Sequence, residues 1–554
     1  MVNLRSFSAL VITVLLFFSI TAQNLLSLSF TDPGSPAELA AAMEKAMSDE
    51  QALAQTFMLG WVGADPSPLI LDWIRDRNIS GIKIFGWNTG DTRRLAETVG
   101  SLQRLSLEGQ FGLPLLVATD QEGGWIRHVK GSTSETPGNM AIGASGYPRD
   151  AYLSGYYIGK ELAVLGINMN FAPTVDLFTN RDSVLIGPRA FGDDPVKAGI
   201  LGAAFMKGQL AAGIIPTAKH YPGHGDTDLD SHGVLPQISA SFETLWDREL
   251  VPYRLLTKEG LPAVMSGHLA FPNTKAADAP ASLSSWFLND VLREKIGFRG
   301  IIITDDLMMN GATTWAGSLS RAARQALLAG NDIILLSKTP SLWDPIWTSL
   351  VNAMKDDEVF RARVRDACRR VLAVKFEYLR GEKKVPYIPD PARLETELPN
   401  PEGAAFFLDL AARSVTVVRG GSGASPVIPL KTEDAGRVLL AGQYVDFFTL
   451  GRAAYPGASA YWYSTSRGTA EFTAMARNAD TVIFCLSDAE GLAFLRALQS
   501  LKKRVIVFSV LSPVYLESVP WADGAIAVYS YARESFAAGF SAILGRIPAG
   551  GRLP

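Results

Sequence analysis

Between about residue 38 and residue 380, short apolar runs alternate with longer stretches of mixed polarity. The runs fall at 57–62, 79–85, 113–119, 167–171, 214–218, 263–266, 300–304 and 332–336. Each has strand length and near-continuous hydrophobicity, the pattern of a strand buried on both faces. Helix-length segments lie between them, at 92–107, 151–165, 196–212, 242–258 and 318–329. Eight strands alternating with helices predict an α/β fold, a (β/α)8 barrel of the TIM type, over residues 38–382. Polar residues support this. Asp120 follows Leu-Leu-Val-Ala-Thr, Lys219 and His220 follow Ile-Ile-Pro-Thr-Ala, His268 follows Val-Met-Ser-Gly, and Asp305 follows Ile-Ile-Ile-Thr. All stand just past a predicted strand, on the barrel face that carries chemistry. An open doubly wound sheet also gathers ligands at strand ends, but eight strands with reactive groups after four of them favour a closed barrel.

The pattern changes at 383–403, where Pro386, Pro389, Pro391, Pro399 and Pro401 predict an extended linker. A second α/β pattern fills 404–554, with strand candidates at 415–418, 438–440, 481–486, 505–510 and 525–529 and a helix at 489–501. At about 150 residues it has ordinary domain size. It holds no grouping of His, Asp and Glu comparable to that of the first domain.

A chain of 554 residues suits two such units. A net charge of −3 gives no support for binding nucleic acid or an anionic membrane. The N-terminus changes the picture more. Arg5 precedes an apolar run at 7–20, with Thr21, Ala22 and Gln23 after it. The run is shorter than the roughly 20 residues of a spanning helix, so residues 1–23 are expected to be a secretory signal. The protein is then exported, periplasmic or secreted, with an uncleaved N-terminal anchor as the alternative. Cys368 lies in a charged helical stretch and Cys485 in an apolar strand, so two separate thiols are expected.

The densest chemistry is Lys219-His220-Tyr221-Pro222-Gly223-His224-Gly225-Asp226-Thr227-Asp228-Leu229-Asp230-Ser231-His232, which holds three of the chain's five histidines. Three readings are open. His220, His224 and His232 are metal-ligand types, although Pro222 and Gly223 break helical spacing between the first two. Asp230 can bend back onto His232, fix its tautomer and leave the other nitrogen free to pass a proton. The third reading is a solvated loop. Elsewhere, Asp305 ends a fully apolar strand, where a carboxylate is costly unless used or paired, and Asp306 fits a helix cap. Asp120-Gln121-Glu122-Gly123-Gly124 places a carboxylate before a sharp turn. Arg189, in Gly187-Pro188-Arg189, offers a fork of donors. His268 suits a supporting position better than a reactive one.

Taken together these stretches resemble the β-N-acetylglucosaminidase branch of glycoside hydrolase family 3. The resemblance rests on Lys219–Gly225 followed by Asp230-Ser231-His232, on 120–124, on Phe-Ala-Pro-Thr-Val-Asp at 171–176 and on Thr-Asp-Asp-Leu at 304–307. It implies that 404–554 is a smaller α/β sandwich domain. It implies a retaining exo-β-N-acetylhexosaminidase acting on peptidoglycan fragments or chitin-type oligosaccharides, with Asp305 as nucleophile and His232 as acid/base oriented by Asp230. Asp120, Arg189, Lys219 and His220 would hold the terminal sugar, and no metal or organic cofactor is implied. Two positions depart from the family pattern. His128 stands where an arginine often binds sugar, with Arg127 beside it as a candidate substitute, and Ala190 replaces a common serine. A family 3 β-glucosidase or β-xylosidase, a phosphorylase and a catalytically dead sugar-binding protein are the rivals. The Asp-x-His pair argues against the first and the presence of nucleophile and pair against the last.

Overall fold

A computed structural model describes residues 28–227, 235–421, 426–464, 466 and 468–554. The expected signal at 1–23 and the Asp230–His232 pair lie outside these residues. The first domain is a closed barrel of eight parallel strands. In chain order they are β1 (Phe57–Leu59), β2 (Gly81–Ile84), β3 (Leu116–Thr119), β4 (Met169–Asn170), β5 (Ile215–Tyr221), β6 (Ala263–Ser266), β7 (Ile301–Asp306) and β8 (Ile333–Leu336). Each neighbours the next, and β8 pairs with β1 to close the ring. Two of the strands run further than their apolar runs. β5 reaches through Lys219 and His220, and β7 includes Asp305 and Asp306, so these side chains belong to strand ends and not to the loops beyond.

Strand geometry decides where they point. Successive side chains face opposite sides of a sheet. Met58, Leu116, Ala118, Met169, Ile215, Met265, Ile301, Ile303, Ile333 and Leu335 pack together as the barrel interior. Phe57, Leu59, Ile82, Ile84, Val117, Ile334 and Leu336 pack outward against the helices. Continuing the inward series by two residues gives Asp120 after Ala118 and Asp305 after Ile303. On β5 two such steps run from Ile215 through Thr217 to Lys219, and on β2 the position between outward Ile82 and Ile84 is Lys83. Four charged side chains from four strands therefore share the mouth of one lumen. Two outer helices cross close by through glycine. An added Cβ on Gly155 of α1 (Pro148–Val164) would lie 2.2 Å from the Phe205 carbonyl oxygen, and one on Gly208 of α2 (Pro195–Ala211) 2.0 Å from that of Tyr152.

The proline-rich stretch is not simply extended. It contains α3 (Pro391–Glu397), with proline at the first turn and Asp390 capping the Ala392 N–H at 3.0 Å, and it leads into α4 (Pro401–Ser414). Proline suits both starts because the first helical N–H has no intrahelical acceptor. The second domain is a six-stranded sheet of β9 (Thr416–Arg419), β10 (Val438–Gly442), β11 (Ser459–Trp462), β12 (Thr481–Leu486), β13 (Arg504–Ser509) and β14 (Gly524–Ala527). The order is β9-β14-β13-β12-β10-β11, parallel except for β9 against β14. β11 has no counterpart among the sequence candidates because it is a half-exposed edge strand. The domain docks on the barrel through Ala527 and Tyr529 against Met140, Ala141 and Ala144, and through a bidentate Arg413–Asp150 pair at 2.8 and 3.2 Å. Cys368 and Cys485 are separate, buried thiols.

Candidate active site

The strands deliver a chain of ion pairs to the barrel mouth. Asp120 accepts from Lys219 on one oxygen and from Lys83 at 2.6 Å on the other. Lys219 also reaches Glu122 at 2.6 Å, and Arg189 grips Glu122 with two hydrogen bonds of 2.9 and 2.8 Å. Burial alone would raise the Asp120 carboxyl, but Lys219 and Lys83 outweigh it and hold it well below the usual carboxylate range. The same opposition, with Arg189 and Lys219 as the cations, holds Glu122 at about 2. Asp120 remains the solvent-facing member, its side chain 15% exposed while that of Glu122 is fully covered.

His220 is fixed from both sides. Its Nδ1 lies 2.7 Å from Asp176, a buried carboxylate that also accepts the backbone N–H of His224 at 2.7 Å. Its Nε2 lies 3.3 Å from Arg189, which can only donate, so Nδ1 carries the proton. Burial would raise Asp176, yet His220 and the His224 N–H bring it to about 2. The loop beyond is tight. An added Cβ on Gly225 would meet the Leu177 carbonyl oxygen at 1.5 Å, so only glycine fits there.

Asp305 accepts the backbone N–H of Asp306 at 2.8 Å. Burial raises its carboxyl, and His220, His268 and that N–H more than offset it, so the group stays ionised. Asp306 does not face the same task. It accepts from the N–H groups of Met308 and Ser337, both at 3.0 Å, and so ties the loops after β7 and β8. His268 takes the supporting position expected of it. Its Nε2 donates to the Asp306 carbonyl at 3.1 Å and its Nδ1 accepts from Ser282 at 2.7 Å.

At the position of the departure, His128 Nδ1 lies 3.2 Å from Lys83 Nζ and 3.6 Å from Asp120. An ammonium only donates, so Nδ1 accepts and Nε2 bears the hydrogen. Burial and the Lys83 charge push this imidazole down to about 4, leaving a neutral N–H donor at the mouth. Arg127 does not substitute for the missing arginine. Its guanidinium turns away to the carbonyls of Thr133 and Ser134 at 2.9 and 3.1 Å and to Glu135. The cation beside His128 and Asp120 is Lys83. Sequence reasoning passed over it, although a lysine inside the apolar run at 79–85 was a signal. Among the described residues no three His, Cys, Asp or Glu side chains converge as a metal site.

The profile of the glycosyl hydrolase family 3 N-terminal domain matches residues 53–374, the barrel with all these side chains. The chain belongs to glycosyl hydrolase family 3. Among relatives of this family 3 protein, β-hexosaminidase A of Pseudoalteromonas piscicida is 30% identical over 387 residues, covering 66% of this chain and 62% of that one. The β-hexosaminidase of Nitrosomonas eutropha is 34% identical over 280 residues, covering 49% of this chain and 77% of that one. The chain thus spans less than two thirds of the first relative and over three quarters of the second. The family 3 β-N-acetylglucosaminidase structure from Paenibacillus sp. str. FPU-7 superposes with a TM-score of 0.82 at 28% identity, covering 92% of this chain and 98% of that one. A β-glucoside phosphorylase, BglX, shares the fold with a TM-score of 0.78 at 19% identity, covering 96% of this chain and 98% of that one.

Proposed function

We propose that this family 3 protein is a retaining exo-β-N-acetylhexosaminidase that removes terminal β-linked N-acetylglucosamine from peptidoglycan fragments or chitin-type oligosaccharides. The observation that carries the proposal is an ionised Asp305 at the mouth of a lumen whose floor is a fixed set of sugar-binding donors and acceptors. Such a floor takes one terminal ring and blocks further entry, which suits exo action. The relatives named β-hexosaminidase support the sugar.

In the first step Asp305 attacks the anomeric carbon, while His232 protonates the departing glycosidic oxygen and Asp230 steadies the imidazolium. In the second, His232 takes a proton from water, whose oxygen displaces the Asp305 carboxylate and frees the sugar. Asp120 and Lys219 hold ring hydroxyls, with Arg189 and His220 behind them and His128 donating at the edge. The same proposal takes residues 1–23 as an export signal and the work as done outside the cytoplasm; finding the mature protein only in the cytoplasm on fractionation would refute that part.

Hydrolysis of 4-nitrophenyl N-acetyl-β-glucosaminide against the corresponding glucoside tests the reaction. The wild type should prefer the N-acetyl sugar. Asp305→Ala should lose roughly 10³-fold or more, and His232→Ala about 10²- to 10⁴-fold on poor leaving groups. A glucoside preference, or near-full activity in His232→Ala on an alkyl glycoside, would overturn the assignment. Added phosphate should leave free sugar as the product; a sugar phosphate would make the enzyme a phosphorylase.

A further inference from the structure

The pocket floor leaves one feature of the rim without a task. Trp87, in the loop after β2, is 49% exposed although its indole is fixed on two sides. One face stacks on Phe85, with 4.6 Å between ring centres and 9° between planes. The Nε1–H donates to the Trp61 carbonyl at 2.7 Å. Asn88 locks the same turn, accepting from the Phe85 N–H at 2.8 Å and donating to the Gly63 carbonyl at 2.6 Å. With one face on Phe85 and the N–H edge on Trp61, the opposite face is the one left to solvent. A large ring held rigid with a bare face offers broad apolar contact at little cost in ordering.

Its position ties it to the pocket. Lys83 Nζ stands 4.3 Å from the centre of the Phe85 ring and 2.6 Å from Asp120. The His128 ring lies 5.8 Å from Phe85, and its Nδ1 is 3.2 Å from Lys83 Nζ. Trp87, Phe85, His128 and Asp120 therefore form one continuous wall from rim to floor.

We infer that Trp87 is the platform of a second sugar subsite, on which the leaving-group pyranose of a β-linked oligosaccharide stacks. The inference rests on the proposed function: if the floor takes the terminal ring, the next ring emerges along this wall. A pyranose with equatorial substituents shows a face of C–H groups, which matches the electron-rich face of an indole. Because the indole is already held, little ordering opposes the contact. The sugar's own hydroxyls stay at the edge, in water.

The test compares N,N′-diacetylchitobiose and its trimer with N-acetyl-β-glucosaminyl azide, whose leaving group is too small to reach the rim. In Trp87→Ala the oligosaccharide-to-azide ratio of kcat/KM should fall about tenfold, through KM, and Trp87→Phe should recover part of it. A ratio within twofold of wild type, whether both substrates fall together or neither does, would overturn the inference. Failure of the wild type to cleave the azide would instead count against the proposed reaction, so the two failures are distinguishable.

Discussion

At the scale of single residues, Lys83 shows how a charge can hide in a hydrophobic pattern. Its run looks like a buried strand because outward positions such as Ile82 and Ile84 are apolar, while the inward position opens on the mouth. Lys83→Met should remove one of the two cations on Asp120. Hydrogen bonds to charged groups are worth about 1.5–3 kcal/mol, so kcat/KM on the aryl N-acetylglucosaminide should fall about 10- to 100-fold. Retained activity would show that Lys219 alone suffices. His224 makes a different point. It is buried, neither ring nitrogen has a hydrogen-bond partner among the described residues, and burial brings its imidazole down to about 4. The unfolded chain takes up that proton below about 6.5, whereas the fold resists until about 4. Stability should therefore fall as pH drops through this window. His224→Phe should flatten the decline in urea midpoints between pH 7 and pH 5. Below it, the depressed carboxyls of Asp120, Glu122 and Asp176 lose their contribution as pH falls from about 4 towards 2.

At the scale of elements, the barrel was legible because strands buried on both faces leave near-continuous apolar runs. The positions of Asp120, Lys219, His220 and Asp305 followed from the same runs, and the structure adds that the last three lie within the strands. β11 was not legible, since an edge strand with exposed Ser459 and Trp462 lacks the signal. Nor was α3, whose prolines signal a break as readily as a helix start. Arg127 was misplaced because adjacency in sequence says nothing about which way a turn throws a side chain. Helix packing gives the sharpest prediction here. Gly208→Ala should force α1 and α2 apart, since its Cβ has no room against the Tyr152 carbonyl. A loss of about 1–3 kcal/mol is expected, read as a lower denaturation midpoint with the kinetic constants of the surviving enzyme little changed.

At the scale of the molecule, the second domain sits on barrel segments next to the site. Met140, Ala141 and Ala144 lie under it, and Asn139 donates to the Arg189 carbonyl at 2.8 Å. Arg413→Ala would leave the covered Asp150 carboxylate without its half-exposed partner, at a cost of about 1–3 kcal/mol. Calorimetry should then show the second domain unfolding earlier than the barrel, where a single transition is expected of the wild type. Salt offers a contrast. In 1 M NaCl the screening length is about 3 Å, and exposed pairs such as Arg94–Asp65 are lost in the ionic background. The ion chain from Lys83 to Arg189 is largely covered, with Asp120 alone partly open to solvent, so dissolved ions screen it far less. The grip on the uncharged sugar proposed as substrate should therefore be nearly as sharp in brine as in dilute buffer, so that turnover stays level as the salinity around the enzyme changes.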